Sequence, residues 1–228
     1  MIPRSKGDET RERILNAALE CFREKGFEQT TMRDVAARAG MALGAAYYYF
    51  KSKDALVMAF YQQTHEDLGP KIDEAIASTR DLRLRLERLL KLKFEYFAGS
   101  RKLLAALAAH TDPEHPLSPF SENTRETRER DMAVFARALE DSKITVKKDL
   151  AGKLPGILWM YQMGMILFWI HDRSEGQRRT HALVEKSLGL IVRLLQVSSL
   201  PLMTPMRRVV LELAEIVAET ESVGKFTD

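Results

Sequence analysis

The chain has 228 residues, of which 45% are hydrophobic and 29% charged, so it can bury a sizeable core in one large domain or two smaller ones. Its formal net charge of +3 is too small to identify a nucleic-acid partner, and its single cysteine, Cys21, excludes an intrachain disulfide framework. Because the amino-terminal residues are polar and lack the apolar stretch of a secretory signal, we expect a cytoplasmic protein. Glycine and proline are sparse and few β-branched runs alternate, so the composition predicts helices throughout.

The first predicted helix has apolar residues on one face, at helical spacing. This face consists of Ile14, Ala17, Ala18, Cys21 and Phe22. Either Asp8 or Thr10 can cap the start of the helix, and Gly26 suits its end. The segment therefore predicts an amphipathic helix that buries one side.

Two short helices are predicted next. Thr31, followed three residues later by Asp34, is a capping signature, and Gly40 stops the helix that it opens. A third helix follows at about 42–49, and Ser52 can cap a fourth. A short helix, a glycine-containing turn and another short helix form the layout of a helix-turn-helix, whose second helix lies in the major groove of DNA.

The remainder of the chain predicts further helices separated by polar or proline-containing loops. They are expected at Lys53 to Ile76, Asp81 to Phe97, Arg101 to His110, 119–141, 146–170, 175–197 and 206–222. We expect Ser118 and Pro119 to start the helix at 119, and Ser174 with Gln177 to cap the helix at 175. The apolar run at 154–170 is at the short limit for a membrane span and is interrupted by proline, glycine and glutamine, so a buried helix is favoured.

The run TRERILNAALECFREKGFEQTTMRDVAARAGMALGAAYYYFKSKDAL closely resembles the DNA-binding domain of TetR-family (tetracycline-repressor-like) transcriptional regulators. The resemblance covers about the first quarter of the chain. Its matching positions are Gly26-Phe27, Thr30-Thr31, Val35-Ala36, Ala39-Gly40, Gly44, Tyr47, Tyr49-Phe50 and Lys53 through Leu56. The rest of the chain resembles the family only in being helical and of suitable length.

The resemblance implies an all-α protein with an amino-terminal three-helix DNA-binding domain at 8–68, whose helix-turn-helix spans about 31–50. A larger helical domain for dimerisation and effector binding follows at 69–228. The resemblance further implies a homodimeric regulator, expected to be a repressor, whose binding to a pseudo-palindromic double-stranded DNA operator is relieved by a small-molecule effector. It implies no cofactor, no metal and no membrane partner.

Nine residues are expected at the DNA, because the family's contacts carry over to them or to their neighbours. They are Thr31, Arg33, Ala42, Leu43, Gly44, Ala45, Tyr47, Tyr48 and Lys53. Thr31 and the free N–H groups of its helix can bind a phosphate, as can the hydroxyls of Tyr47 and Tyr48. Lys53 matches the family's phosphate-binding lysine, and the alternative for it is an ordinary solvated lysine.

The third predicted helix, which is expected to contact the bases, is poor in polar side chains. Its small residues let the backbone approach the groove closely, and Leu43 or an alanine can contact a thymine methyl group. Many relatives carry serine, threonine or charged residues there, so we expect Arg33, the amino-terminal Arg4 or Lys6, and DNA shape to supply the remaining specificity. The residues expected to anchor the helix in the core are Tyr49 and Phe50.

Two sets of residues in the carboxy-terminal part are candidates for further surfaces. The dimer interface is expected to use Ile157, Met160, Ile166, Leu167, Leu188, Ile191 and Leu195. An effector pocket is expected to use Phe94, Phe97, His110, Trp159, Tyr161, Gln162, Met163 and Trp169. In both cases the alternative is that an apolar stripe at helical spacing belongs to the chain's own core.

A helical enzyme is one alternative to a regulator, but the sequence has no G-x-S-x-G, H-E-x-x-H, phosphate-loop or G-x-G-x-x-G motif. His110 and His115 lack a third convincing metal ligand. The other alternative is a helical ligand-binding or scaffold protein without specific DNA binding, and the plainness of the third helix favours it. The ordered set of motifs nevertheless predicts a DNA-binding regulator and no enzyme.

Overall fold

The computed structural model of the chain describes residues 5–198, 204–205, 208–209 and 211–213. Within these residues the regular structure is helical and includes no strand, which confirms the all-α prediction. The α-helices defined within 5–198 are α1 (Lys6–Lys25), α2 (Met32–Arg38), α3 (Leu43–Tyr49), α4 (Lys53–Ala77), α5 (Leu82–Phe97), α6 (Arg101–Leu107), α7 (Arg125–Leu139), α8 (Lys148–Ala151), α9 (Leu154–His171) and α10 (Arg178–Ser198). Short 3-10 turns occupy Ala98–Ser100 and Glu175–Gln177.

The described residues divide into two compact units. The first unit comprises the chain up to residue 66 together with Phe97–Thr124, and the second comprises Asp67–Tyr96 together with the chain from residue 125. Helix α4 continues from the first unit into the second, so the predicted boundary at residue 68 falls inside a helix. The sequence places 97–124 in the carboxy-terminal domain, whereas this segment packs with the first unit, where α6 contacts α1.

Helix α1 buries the apolar face that its sequence predicts. Ile14, Ala18 and Phe22 have no exposed surface, and Ala17 and Cys21 are also buried. Burying these side chains stabilises the first unit by about 1.5–3 kcal/mol for each large one. The helix then ends at Gly26, as expected.

The start of α1 differs from the prediction. Ser5 accepts the N–H of Asp8 through its Oγ at 3.1 Å, and the Asp8 carboxylate accepts the N–H of Ser5 at 3.2 Å. Ser5 is therefore the N-cap of a capping box, and Asp8 is its third helical residue. Thr10 lies inside the helix and donates its hydroxyl to the Lys6 carbonyl at 2.8 Å, so neither Asp8 nor Thr10 is the cap.

Helix α7 begins at Arg125, later than predicted. The preceding segment forms a hydroxyl-rich turn, in which Thr124 Oγ1 donates to the Ser118 carbonyl at 2.6 Å and Ser121 Oγ donates to the same carbonyl at 3.0 Å. Serine and threonine side chains bind the local backbone in competition with helix formation. The prediction that Ser118 and Pro119 start this helix is therefore wrong.

The apolar run at 154–170 forms α9, with Pro155 in its first turn and not at a bend. Ser174 and Gln177 do not form the predicted capping box, because Gln177 has φ +52° and α10 begins only after it. Ser174 Oγ instead accepts the N–H of Arg179 at 3.1 Å. Among the described residues, none of the helices combines the length and the apolar character needed to cross a membrane.

Two sequence predictions concern residues outside the described ranges. The predicted helix at 206–222 lies largely outside the described residues. The same is true of Arg4 in the amino-terminal arm. Lys6, the other basic residue of that arm, is the first residue of α1 and is exposed.

The second unit contains a buried ion-pair cluster of Lys93, Asp131 and Gln162. Lys93 Nζ donates to both carboxylate oxygens of Asp131 at 2.7 Å, and Gln162 Nε2 donates to one of them at 3.0 Å. The three residues are 8%, 8% and 1% exposed. The cluster joins α5, α7 and α9, and its members satisfy one another's charge and hydrogen-bonding capacity away from water.

Candidate nucleic-acid interface

The capping box predicted from the sequence fixes the start of α2. Thr31 Oγ1 accepts the N–H of Asp34 at 3.1 Å, and the Asp34 carboxylate accepts the N–H of Thr31 at 2.9 Å. Lys25, at the end of α1, donates to the same carboxylate at 2.5 Å. The hydrogen bonds from Lys25 and Thr31 hold the pKa of Asp34 well below its usual range. The start of α2 is thus fastened to the end of α1.

A Schellman turn separates α2 from α3. The N–H of Met41 donates to the carbonyl of Ala36 at 3.0 Å, and the N–H of Gly40 donates to the carbonyl of Ala37 at 3.1 Å. Gly40 has φ +68°, in the left-handed region that favours glycine. The turn therefore depends on this glycine, and it sets the direction in which α3 leaves α2.

Helix α3 is held by buried residues on one side and exposes the other. Ala46 has no exposed surface, and Phe50, at its carboxy-terminal cap, is 3% exposed. The exposed residues of the helix are Gly44, Ala45, Tyr47 and Tyr48. Tyr48 reaches 76% exposure, which is unusual for a large aromatic side chain. The outer face of α3 thus carries small side chains at its beginning and aromatic side chains towards its end.

Tyr49 and Phe50 differ in how they anchor this helix. The guanidinium of Arg11 on α1 lies over the ring of Phe50, 5.0 Å from its centroid. Tyr49 is half-buried and packs edge-on against Tyr48, with ring centroids 5.2 Å apart. Phe50 therefore anchors the helix in the core, as predicted, while Tyr49 also supports the exposed ring of Tyr48.

Lys53 is bound to the turn between α1 and α2. Its Nζ donates to the carbonyl of Phe27 at 2.8 Å and to that of Glu28 at 3.2 Å, and it lies 4.6 Å from the centroid of the Phe27 ring. These contacts fix the position of the ammonium group, so Lys53 is not the solvated lysine of the alternative interpretation. A phosphate at this position would share the ammonium group with the two carbonyls.

A second ion-pair tie between α2 and α1 involves Arg38, which the sequence did not single out. Its guanidinium donates to Glu20 at 3.2 Å and to Glu24 at 2.9 Å. The hydrogen bond from Arg38 lowers the pKa of Glu24. In the sequence, this ion pair is indicated locally by the spacing of Glu20 and Glu24, which lie one helical turn apart on α1.

The predicted DNA residues lie on α2, on α3 and next to these helices, all within the first unit. Those that are exposed are Thr31, Arg33, Ala42, Gly44, Ala45, Tyr47 and Tyr48. Leu43 and Lys53 are half-buried. This surface offers hydroxyl groups and positive charge for phosphates, and small residues where a helix can approach bases closely.

The predicted effector residues are divided between the two units. Phe97 and His110 belong to the first unit. Those in the second unit are Phe94, Trp159, Tyr161, Gln162, Met163 and Trp169. There, Phe94 stacks on Trp169 with ring centroids 5.4 Å apart, while Gln162 takes part in the buried ion-pair cluster. Two of the predicted aromatic residues are thus in contact, while Gln162 donates a hydrogen bond to the buried Asp131 carboxylate.

His110 and His115 in the first unit stack with their ring centroids 3.8 Å apart. The Nδ1 of His115 accepts the N–H of Leu117 at 3.2 Å, and His110 Nε2 lies 3.9 Å from a Glu28 carboxylate oxygen. Within the part of the chain that the structure describes, no three His, Cys, Asp or Glu side chains are grouped so that they could hold a metal ion.

The predicted dimer residues separate by burial. Those buried within the chain itself are Ile166, Leu188 and Leu195, so the intrachain alternative applies to them. Those exposed are Met160 and Leu167, and those half-buried are Ile157 and Ile191. The sequence missed three exposed apolar residues of α10, which are Leu190, Leu194 and Val197.

Two parts of the chain match models of one protein family. The model described as "Bacterial regulatory proteins, tetR family" matches residues 14–60, and that described as "Tetracyclin repressor-like, C-terminal domain" matches residues 85–213. The HTH-type transcriptional repressor KstR2 of Rhodococcus jostii is 31% identical over 134 residues, which cover 58% of this chain and 66% of that protein. The regulator UidR of Escherichia coli is 34% identical over 100 residues, covering 44% and 50%. The chain therefore spans half and about two thirds of the length of these two relatives.

Solved structures share the fold over most of the chain. A TetR transcriptional regulator from Nitrosomonas europaea superposes with a TM-score of 0.62 at 20% identity, covering 79% of this chain and 96% of that one. Thermus thermophilus FadR, a repressor in complex with lauroyl-CoA, superposes with a TM-score of 0.61 at 22% identity, covering 83% and 95%.

Proposed function

Because the chain belongs to the TetR family of bacterial regulatory proteins, we propose that it is a transcriptional repressor that binds operator DNA through α2 and α3. The observation that carries this proposal is the outer face of α3. Ala46 and Phe50 hold the helix on the first unit, while two tyrosines and a small glycine-alanine surface remain in solvent. Such a face suits insertion into the major groove, because its small residues sit between groups that can bind the DNA backbone.

Phosphate contacts fix the register of the first unit on the duplex. The hydroxyls of Tyr47 and Tyr48 reach phosphates at one end of α3, and Thr31 reaches them from the start of α2. Lys53 adds a positive charge at the α1–α2 turn while keeping its backbone carbonyl partners. These contacts supply the part of the binding affinity that depends on salt and is independent of sequence.

Base reading relies on close approach more than on hydrogen bonds. Gly44 and Ala45 are exposed and leave the backbone of α3 uncovered, and Leu43 offers an apolar surface to thymine methyl groups. Arg33 supplies one hydrogen-bonding side chain on the neighbouring helix. Sequence-dependent DNA shape contributes the rest of the specificity.

A homodimer presents two such helices to a two-fold symmetric operator. The exposed apolar residues on α9 and α10 support this assembly, because large apolar side chains in solvent indicate a surface that another chain covers. The residues proposed for the interface are Met160, Leu167, Leu190, Leu194 and Val197. We place the dimer in the cytoplasm, where it meets the DNA.

A small molecule bound to the second unit releases the operator. A solved relative with the same fold is described in complex with lauroyl-CoA, which supports an apolar or amphipathic effector. The ligand shifts the equilibrium between the free and DNA-bound conformations of the protein. The size of the shift is set by the difference between its affinities for the two conformations.

Footprinting and gel shifts on DNA flanking the protein's own gene test the proposal. We expect protection of a pseudo-palindromic site whose affinity falls steeply with salt. Replacing Tyr47 and Tyr48 together by phenylalanine should weaken binding by about tenfold or more, since each hydroxyl loses a hydrogen bond to a charged phosphate. The matched control is Tyr96→Phe, because the Tyr96 hydroxyl binds Asp67 in the second unit at 2.8 Å.

The second candidate function is ligand binding without specific DNA recognition, which the absence of polar side chains on the outer face of α3 before Tyr47 favours. Small-molecule binding to a protein that shows no site-specific DNA affinity would support it and contradict repression. Equal operator affinities of the Tyr47/Tyr48 double variant and the Tyr96 variant would show that the phosphate assignment is wrong.

A further inference from the structure

A groove of about 600 Å³ runs between α5 and α10 in the second unit. One wall is a single stripe of α5, because Arg83, Glu87, Lys91 and Phe94 follow each other at helical spacing. At 1.5 Å of rise per residue this stripe is roughly 16 Å long. The other wall comes from the first two turns of α10. The groove is thus large enough for an elongated small molecule.

The polar part of the groove has three cationic and two anionic side chains. Arg83, Lys91 and Arg178 line it together with the two carboxylates Glu87 and Glu185. Arg83 Nη2 is 3.7 Å from the carboxylate of Glu185, which is too long for a hydrogen bond. The groove therefore has an excess of cationic donors over the acceptors that its own walls provide.

One nitrogen of these donors is buried and unpaired, although the Arg83 side chain to which it belongs is 42% exposed. The Nε of Arg83 has almost no exposed surface, and no described residue accepts a hydrogen bond from it. Buried polar groups in native proteins nearly always have a partner, so an unpaired guanidinium N–H indicates a position for an acceptor. A carboxylate or phosphate is the acceptor whose geometry matches two adjacent guanidinium N–H groups.

The remaining lining of the groove is apolar. Phe94 forms part of it, and its ring is fixed by stacking on Trp169 at 5.4 Å. Val184 and Ala182 of α10 add aliphatic surface beside it. Phe94 and Val184 are only 6% and 5% exposed, so a hydrocarbon body gains by covering their edges together with the exposed Ala182 and the aliphatic stems of the charged side chains.

We propose that this groove binds an amphipathic anion, with its carboxylate or phosphate on Arg83 and its hydrocarbon body along Phe94 and Val184. The proposal names the chemical class of the effector and therefore rests on the proposed function. It differs from the pocket expected from the sequence, since of those eight residues only Phe94 lines the groove.

The groove and the proposed dimer surface lie on different faces of α10. At 3.6 residues per turn, the groove residues Arg178, His181, Ala182 and Glu185 cluster on one side of the helix. The exposed apolar residues 190, 194 and 197 cluster on another side, and the two sets flank opposite edges of the buried face. The proposed dimer surface therefore does not use the side of α10 that lines the groove.

Calorimetric titration and thermal shift of the full-length protein without DNA test the proposal. The probes are octanoate, octyl phosphate and, as the uncharged counterpart, octanol. We expect one octanoate or octyl phosphate to bind per chain and to raise the unfolding midpoint, with octanol at least about tenfold weaker because it lacks the charge-assisted contact. Whichever anion binds more tightly identifies the head group.

Variants locate the site. Arg83→Gln should weaken anion binding at least about tenfold, while Arg130→Gln on α7, an equally exposed arginine outside the groove, should leave it unchanged. Ala182→Trp is a second test, because the indole fills the exposed side of the groove without altering a charge. Unfolding midpoints measured without ligand show that each variant is folded.

Three results would overturn the inference: no binding of either anion, octanol binding as tightly as octanoate, or equal affinities for the Arg83 and Arg130 variants. Operator binding is measured separately on the same proteins. Failure of anion binding with intact operator binding rejects only the groove, whereas anion binding without any operator binding rejects only the regulatory function.

Discussion

Two ion pairs of the first unit and one ion pair of the second lie in opposite environments. In the first unit, Lys25 with Asp34 and Arg38 with Glu24 form exposed pairs around an apolar core. In the second unit, Lys93 and Asp131 pair in the interior, with side chains only 10% and 11% exposed. Exposed ion pairs stabilise a fold weakly and are screened by salt. Removing one partner of a buried pair is strongly destabilising, because the other charge is left buried and uncompensated. Apolar packing and helix caps thus stabilise the first unit, while a buried ion pair contributes to the core of the second.

The largest expected effect breaks the buried pair. Asp131→Ala should lower the free energy of unfolding by about 3–5 kcal/mol, because the Lys93 ammonium is left buried without its carboxylate. Urea denaturation measures the change. The matched control in the first unit is Glu24→Gln, which removes an exposed pair and should barely move the midpoint. Similar losses for the two variants would contradict the contrast between the units.

The next effect concerns the turn that orients α3. Gly40→Ala should destabilise the protein by about 1–2 kcal/mol, because an alanine at φ +68° is strained. The space around this glycine is open, so any loss reports backbone strain and not a clash. Thermal unfolding of the variant measures it. An unchanged midpoint would show that the turn does not need glycine.

Substitution on the outer face of α3 should separate stability from DNA binding. Gly44→Ala should raise the free energy of unfolding by about 0.5–1 kcal/mol, because alanine favours the helix and the added methyl meets no atom of the folded chain. The same methyl should weaken operator binding if the backbone of α3 lies close to the bases. Stability and gel-shift measurements on one preparation compare the two effects. A variant that is more stable and binds equally well would contradict close approach.

The smallest effect is the response of the first unit to acid. The pKa of Asp34 is depressed from its ordinary 3.8, so its contribution to stability is present above that value and is lost as the pH falls below it. Unfolding midpoints between pH 5 and about pH 2 should therefore fall less steeply in Asp34→Asn than in the unaltered protein. Parallel curves for the two proteins would show that the Lys25–Asp34 pair adds nothing.

The parts of the fold that the sequence predicted well depend on neighbouring residues. The Thr31–Asp34 box, the stop at Gly40 and the start of α4 after Ser52 each involve groups within a few positions, and the structure confirms all three. The bounds of α3 were also predicted closely, because a glycine turn precedes it and the Ser52 cap follows it.

The features that the sequence did not reveal depend on residues far apart in the chain. Nothing local shows that Lys53 binds the carbonyls of the α1–α2 turn, or that Lys93 finds Asp131 and Gln162 on two other helices. The same reason explains why Phe97 was assigned to the carboxy-terminal domain. Its apolar character predicts burial but does not say with which unit it packs.

The open surroundings of Gly44 also bear on how this protein can change over evolutionary time. Ala46 and Phe50 keep α3 in place from its inner side, and a methyl group added at Gly44 on its outer side meets no other part of the fold. Mutations there can accumulate without first compromising the fold, and each alters the surface proposed to meet the bases. A lineage carrying this scaffold can therefore alter the proposed DNA-reading surface through few substitutions, each at little cost to folding.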